Sequence, residues 1–171
     1  IFVPFEVDNI LLNSMGFVID ADKAAMWRGP MLSGAIKQLK NLTQWGDLDY
    51  LFVDMPPGTG DAYLTVASDI KPDHVLLITT MSKLAVHDTL KSKAMFDRLN
   101  IPIAGIIDNM SHSICSKTKN QTYEFSQINL EHEIGCDLLG SIPRHEDLAD
   151  FDITKKNNLL ETIYNNLKAK L

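Results

Sequence analysis

The segment YLFVDMPPGTGD, residues 50–61, joins a run of four apolar residues to a carboxylate and then to a loop rich in proline and glycine. The run predicts a buried strand that ends at Asp54. A carboxylate at the tip of a strand can hold Mg²⁺, directly or through water. Gly58 has no side chain, so its N–H could approach a phosphate oxygen closely. A strand end followed by an ordinary Pro/Gly turn is the alternative interpretation of the same residues.

Outward from this segment, short apolar runs alternate with amphipathic stretches. The runs VLLITT and IAGII contain no polar alternation, which suits strands buried on both faces. Strand–helix alternation of this kind predicts an α/β fold with a largely parallel sheet flanked by helices. We predict strands at residues 15–19, 50–53, 75–80, 103–107 and 138–142, helices at residues 29–42, 61–69, 84–99, 127–135 and 157–169, and an irregular segment at residues 110–125.

The carboxyl ends of these strands are the expected place for a ligand, because open α/β sheets bind ligands there. Asp54, Thr80, Asn109 and Pro143 each lie at the end of a predicted strand, so we expect them at this edge. An amide such as that of Asn109 offers both a hydrogen-bond donor and an acceptor. A strand-end turn residue is the alternative interpretation of Asn109.

The composition excludes several classes of partner. The chain has 171 residues, a size that suits one domain, and a net charge of −6. Its 16 basic residues are scattered, with no run longer than Lys155-Lys156. A nucleic-acid groove and an anionic membrane surface both need clustered positive charge. The sequence therefore predicts no nucleic-acid partner and no membrane docking.

The two cysteines, Cys115 and Cys136, do not indicate secretion. No run approaches the roughly 18 apolar residues of a membrane span, and no signal-peptide pattern is visible at the N-terminus. A reducing cytosol is the default compartment, so we expect a cytoplasmic protein, with an organelle matrix left open. The chain begins with Ile1 rather than Met, which suggests a fragment or a processed product.

The octapeptide DMPPGTGD at residues 54–61 resembles the switch II motif of the Mrp/ApbC family, which belongs to the MinD/ParA-like deviant-Walker P-loop ATPases. The apolar run before it resembles their Walker B strand. The resemblance covers residues 7 to about 150, with the motifs in the family's order. The other matching segments are MGF at residues 15–17, WRGPM at 27–31, WGDLDY at 45–50, DNMS at 108–111 and LGSIP at 139–143.

This resemblance implies a homodimeric carrier that binds and slowly hydrolyses ATP with Mg²⁺, and that assembles or delivers [4Fe–4S] clusters to apoproteins. Asp54 would assist Mg²⁺ and Gly58 would sense the γ-phosphate, with Asp61 as a third residue on the catalytic side. Asn109 would hydrogen-bond the adenine, and Pro143 would flank the base. The dipeptide at residues 27–28 would lie in a loop near the nucleotide or the dimer face, without a catalytic role.

Two features depart from the family. Its Walker A phosphate loop lies upstream of the matching region, so residues 1–171 are interpreted as the C-terminal part of a single domain, with an exposed sheet edge and no tight ATP binding by itself. The family's Cys-x-x-Cys is matched by Cys115 alone, because Thr118 stands at the second position. Cys136 is expected to be a small buried residue before a strand.

A [4Fe–4S] cluster normally takes four thiolates, whereas Cys115 supplies two per dimer. His112 is a further ligand candidate, and a solvated loop histidine is the alternative interpretation.

These departures leave three functions open. The first function is the cluster-carrying ATPase. The second is a MinD/ParA-like nucleotide switch without a cluster. The third is a non-enzymatic remnant that lacks the phosphate-binding loop.

Overall fold

The structure, a computed structural model, describes residues 1–17, 29–55, 61–115, 117–144 and 158–171. The chain divides into two units, Ile1–Pro72 and Asp73–Leu171. The first unit contains strands β1 Phe5–Val7 and β2 Ile10–Leu12, helix α1 Gly29–Leu42 and helix α2 Asp61–Thr65. The second contains strands β3 Val75–Thr79, β4 Ile103–Ile114, β5 Gln121–Thr122 and β6 Leu138–Arg144, and helices α3 Lys83–Arg98, α4 Leu130–Ile134 and α5 Asn158–Lys168.

In the first unit, β1 and β2 form an antiparallel hairpin. Asp8 and Asn9 form its turn with positive φ angles of 50° and 63°, as a tight hairpin turn requires. The strand predicted at residues 15–19 is wrong where the structure describes it, since residues 15–17 form a 3-10 turn. Ser14 explains the difference: its hydroxyl accepts from the Gly16 N–H at 3.2 Å, and this local bond competes with strand pairing.

Helix α1 begins at Gly29, as the Gly-Pro dipeptide predicts. The predicted helix at residues 61–69 is α2 followed by a π turn, Val66–Ile70. Lys40 of α1 reaches this turn and donates to the Asp69 carbonyl at 2.9 Å. A lysine in this position satisfies carbonyls that a helix end leaves without partners.

The strand predicted at residues 50–53 is not formed. These residues are extended coil with exposed side chains, and Phe52 retains 73% of its accessible surface. Within the described ranges, no other strand pairs with this segment. An apolar run indicates burial but does not supply the neighbouring backbone that a strand's N–H and C=O groups need.

The second unit has the predicted parallel core. Strand β4 pairs in parallel with β3 on one side and with β6 on the other. Helix α3 confirms the helix predicted at residues 84–99, and α4 and α5 fall within the helices predicted at 127–135 and 157–169. Among the described strands, β3 pairs only with β4, and its Ile78 is 58% exposed, in agreement with the expected open sheet edge.

Both faces of this sheet carry apolar side chains, as the uninterrupted runs predict. One face buries Leu77 and Ile106 against α3 and α4. The other buries Ile107 and Leu139 against Ile163 of α5. Gly140 permits this close packing, because a Cβ at that position would lie 2.5 Å from Cγ1 of Ile163.

Strand β4 is longer than predicted, which corrects the irregular segment expected at residues 110–125. It continues to Ile114 and forms an antiparallel hairpin with β5, pairing Ser113 with Thr122 and Ile114 with Gln121. Little in the sequence indicates this extension, because its residues are mostly polar and show no strand-like alternation.

Candidate functional site

Asn109 and Pro143 lie together at the carboxyl end of the parallel sheet. Asn109 is half-buried on β4 and pairs with Ile142 of β6, so Pro143 is the next residue along the neighbouring strand. Pro143 is buried. The two residues expected around the base are therefore adjacent, and the Asn109 amide keeps partial access to solvent.

Asp108 is a buried acid that sequence reasoning did not single out. Its side chain is fully buried, and no described residue gives either carboxylate oxygen a hydrogen bond of normal geometry. Burial raises the pKa of Asp108, while the charge of His112 and the nearby Ser141 hydroxyl lower that pKa in part. The available signal was an acid placed directly after the apolar run IAGII.

The ladder between β4 and β6 is interrupted just beyond Asn109. Pairing resumes at Ser113 and Arg144 after a register shift. Within the interruption, Met110 adopts a φ of 53°, which is unusual for a residue with a side chain. Pro143 lies opposite this point and has no N–H to donate to the ladder. The missing N–H of Pro143 therefore accounts for the interruption of the ladder.

Ser111 lies inside the interruption and links the two strands through its side chain. It is buried, and its hydroxyl donates to the Ile142 carbonyl at 3.2 Å. The same oxygen lies 2.8 Å from Nδ1 of His112. The imidazole of His112 also contacts the Tyr123 ring, with a centroid separation of 5.5 Å. Side-chain hydrogen bonds and a ring contact therefore hold the interrupted segment against its neighbours.

Cys115 follows β4 directly and is exposed. It begins a tight turn in which its N–H donates to the Asn120 carbonyl at 3.0 Å and its carbonyl accepts from Lys119 at 2.8 Å. The pKa of the Cys115 thiol is lowered, first by a hydrogen bond from the Thr118 side chain and then by backbone N–H groups of Thr118 and Lys117. Thr118, at the second position of the motif, is thus the main influence that favours the thiolate form of Cys115.

Cys136 has a different environment. It is half-buried and packs against the core that contains Leu77 and Ile106. Burial raises the pKa of its thiol. Its packing agrees with the small, apolar role expected for it, although burial is partial.

The remaining predicted residues lie in the first unit. Asp54 is exposed, and Asp61 begins α2. Gly58 and the dipeptide at residues 27–28 fall outside the described residues. Among the side chains that the structure describes, no three His, Cys, Asp or Glu residues come together as a metal site.

Comparison with known proteins decides the family. The sequence model of the ParA group described as "NUBPL iron-transfer P-loop NTPase" matches residues 1–169. The chain belongs to this family. The resemblance to Mrp-type, MinD/ParA-like ATPases is thereby confirmed, together with the α/β P-loop NTPase fold.

Curated relatives of this NUBPL-family chain carry a consistent name. It is 41% identical over 145 residues to an iron–sulfur cluster carrier protein of Pseudomonas fragi, covering 83% of this chain and 50% of the relative. It is 38% identical over 150 residues to the protein of that name from Escherichia coli K12, covering 86% of this chain and 41% of the relative. The chain thus spans about half, or less, of the relatives' length.

Two solved structures share the fold. A nucleotide-binding protein from Archaeoglobus fulgidus, in complex with ADP and with cobalt found in it, superposes with a TM-score of 0.70 at 28% identity, covering 86% of this chain and 58% of that protein. The cell-division ATPase MinD of Pyrococcus furiosus gives a TM-score of 0.59 at 16% identity, covering 90% and 63%, and supports the fold alone. No helix in the described part of the chain is long and apolar enough to cross a bilayer.

Proposed function

We propose that this chain is part of an ATP-dependent carrier that assembles or delivers [4Fe–4S] clusters to apoproteins and acts as a homodimer. The observation that carries the proposal is the arrangement along β4. One strand has Asn109 beside Pro143 at the sheet edge and leads directly to the exposed Cys115. Because the chain belongs to an iron-transfer family, we interpret Asn109 and Pro143 as the nucleotide side and Cys115 as the cluster side.

The nucleotide half of the proposal centres on Asn109. Its amide is half-buried, so it can face a base on one side while the sheet fixes it on the other. An amide can donate to one ring nitrogen and accept from the exocyclic amine of adenine. The fold relative from Archaeoglobus fulgidus, which holds ADP, supports this role. The proposal also assigns Asp54 to Mg²⁺, Gly58 to the γ-phosphate and Asp61 to the catalytic side.

The cluster half centres on Cys115, with the cluster as cargo. Two copies of the chain would bring two Cys115 thiolates, whereas a [4Fe–4S] cluster takes four ligands. The other two would come from outside the pair, such as thiolates of the receiving apoprotein. The lowered pKa of Cys115 favours the thiolate, which is the form that binds metal. Its exposure leaves the sulfur accessible to a client protein.

The test is reconstitution of the full-length protein with iron and sulfide, followed by ATP hydrolysis and transfer to an apoprotein. We expect bound iron and sulfide, and a Cys115→Ser variant that loses both. Cys136→Ser is the matched control and should keep the cluster. Absence of both hydrolysis and cluster from the wild-type protein would overturn the proposal.

A second candidate is a MinD/ParA-like nucleotide switch without a cluster. Thr118 favours it, because a threonine stands where the family has its second cysteine. Complementation of a cluster-assembly defect separates the two: a Cys115→Ser variant fails if the protein carries clusters and succeeds if it is a switch. We further infer a cytosolic location from the two free thiols, which cell fractionation would test.

A further inference from the structure

We propose that Ser111 is a positioning residue that couples the nucleotide edge at Asn109 to the position of Cys115. The inference rests on the proposed function, because it concerns how the two halves of that function communicate. The relevant segment is residues 110–112, here called the β4 bulge. It lies on the strand that carries both sites.

The bulge follows from a mismatch between two neighbouring strands. From Asn109 to Ser113 the chain of β4 takes four steps, while from Ile142 to Arg144 the chain of β6 takes two. β4 therefore has three residues, 110–112, opposite the single residue Pro143, an excess of two. Proline cannot donate to the ladder and is tolerated in sheets at such irregular positions.

Ser111 replaces the missing ladder bond with a side-chain bond. Its hydroxyl hydrogen goes to the Ile142 carbonyl, so the same oxygen can only accept at its second contact. Nδ1 of His112 lies 2.8 Å from this oxygen and donates to it in the tautomer that carries a hydrogen on Nδ1. One buried hydroxyl thus fixes β6, the bulge and the orientation of the imidazole at once.

Met110 lies in the bulge with a backbone conformation that its side chain disfavours. Its φ of 53° is disfavoured for a residue with a side chain, and it is 50% exposed, so packing does not hold it. Backbone in such a conformation persists only where surrounding bonds hold it. The Ser111 hydroxyl bond is the described contact that holds the bulge to β6.

Beyond the bulge, backbone hydrogen bonds continue up to Cys115. Ser113 and Ile114 pair with β5, and the next residue opens the turn closed by the Cys115 and Asn120 backbone bond. A change of backbone angle at the bulge therefore moves this hairpin as one piece. A base bound against Asn109 and Pro143 would press on the residues that flank the bulge, and the thiol would shift with it.

The experiment compares alkylation of Cys115 with and without ADP in the full-length protein. The rate is measured at fixed pH by mass spectrometry of the peptide that carries Cys115, and ADP affinity is measured in parallel by calorimetry. Ser111→Ala removes the bond, Ser111→Thr keeps a hydroxyl, and Ser113→Ala is the control on the same strand. Met110→Gly is a second test, since glycine accepts positive φ freely and loosens the bulge.

We expect ADP to change the alkylation rate about fivefold or more in the wild type, in Ser111→Thr and in Ser113→Ala, a size typical of coupled sites. In Ser111→Ala and Met110→Gly the change should fall below about twofold while ADP affinity stays within about threefold. A wild-type protein that binds ADP without altering the thiol, or variants that retain the full change, would overturn the coupling and leave the proposed function intact. A wild-type protein that binds no nucleotide would overturn the proposed function and the coupling with it.

Discussion

Asp108 of β4 lies directly opposite Thr79 of β3, and both side chains are buried at the carboxyl end of the parallel sheet. The Thr79 hydroxyl donates to the Thr80 carbonyl at 3.3 Å and not to the acid. The carboxyl group therefore has a protein environment that disfavours its charge. This environment therefore raises the pKa of Asp108 and favours its protonated form more than the unfolded chain does.

This state makes folding stability depend on pH. The pKa of Asp108 is raised in the folded chain, so above the ordinary pKa of aspartate the folded state binds more protons than the unfolded state. The contribution of Asp108 to the free energy of unfolding is then fully present at low pH. It is lost as the pH rises from the unfolded-state pKa of Asp108 through its folded-state pKa. Each unit of elevation corresponds to about 1.4 kcal/mol. Urea unfolding of the wild type and Asp108→Asn between about pH 4.5 and 7 measures the difference, which should grow in favour of the amide.

The control for this prediction is Asp88→Asn, because Asp88 is an exposed residue that pairs with Lys91 on the surface of α3. It should follow the wild-type pH profile. Equal pH profiles for the wild type and Asp108→Asn would show that the buried acid is not neutral in the folded chain.

Restoring the second cysteine should strengthen cluster binding. Thr118 lowers the pKa of the Cys115 thiol, so the second position of the motif already acts on the atom that would bind iron. Thr118→Cys supplies two thiolates per chain and four per dimer, the usual complement for [4Fe–4S]. Iron and sulfide analysis after reconstitution should show about twice the occupancy of the wild type or more, by this ligand count. Thr118→Val removes the donor without adding a ligand, and occupancy no better in Thr118→Cys than in Thr118→Val would contradict the assignment.

Gly140 should be intolerant of any side chain. An added Cβ would lie 2.5 Å from Cγ1 of Ile163, so α5 would have to move away from β6. Gly140→Ala should destabilise the fold by roughly 1–3 kcal/mol, as overpacked cores do. Thermal or urea unfolding measures this, with Gly34→Ala as the matched control.

Gly34 lies within α1, where an added Cβ would meet nothing within 4 Å. That substitution should leave stability unchanged or raise it by up to about 1 kcal/mol, because alanine favours helix over glycine. Similar effects of the two substitutions would argue against tight packing of α5 on β6.

Removal of the Asn109 amide should weaken nucleotide binding. Asn109→Ala removes both the donor and the acceptor proposed for the base, which should raise the Kd for ADP about tenfold, near the cost of a lost hydrogen bond pair. Calorimetry of the full-length protein gives the value. Gln127→Ala removes a comparable amide from an exposed position and should leave the Kd unchanged. An unaltered Kd in Asn109→Ala would remove this residue from the nucleotide site.

The pattern of the sequence was sufficient for the parallel core and for one edge of the site. The runs at β3 and β4 have no polar alternation. Such continuous apolar runs are typical of parallel strands that are buried on both faces. Asn109 follows the run at β4 and Pro143 follows the run at residues 138–142, so their place at the carboxyl edge was predictable from order alone. The same reasoning failed at residues 50–53, because an apolar run predicts burial without naming the strand that pairs with it.

By itself, then, the sequence determined the family, the two-sided strands and the cysteine that lies beyond β4. The tertiary structure alone decided that Asp108 is buried with no well-formed hydrogen bond from the described residues and that Ser111 bonds to the strand of Pro143. The physical reason is distance along the chain: Ser111 and Ile142 are 31 residues apart, and nothing local encodes their contact. Burial and strand pairing depend on the neighbours that the fold brings together, whereas strand and turn preferences depend on the residues themselves.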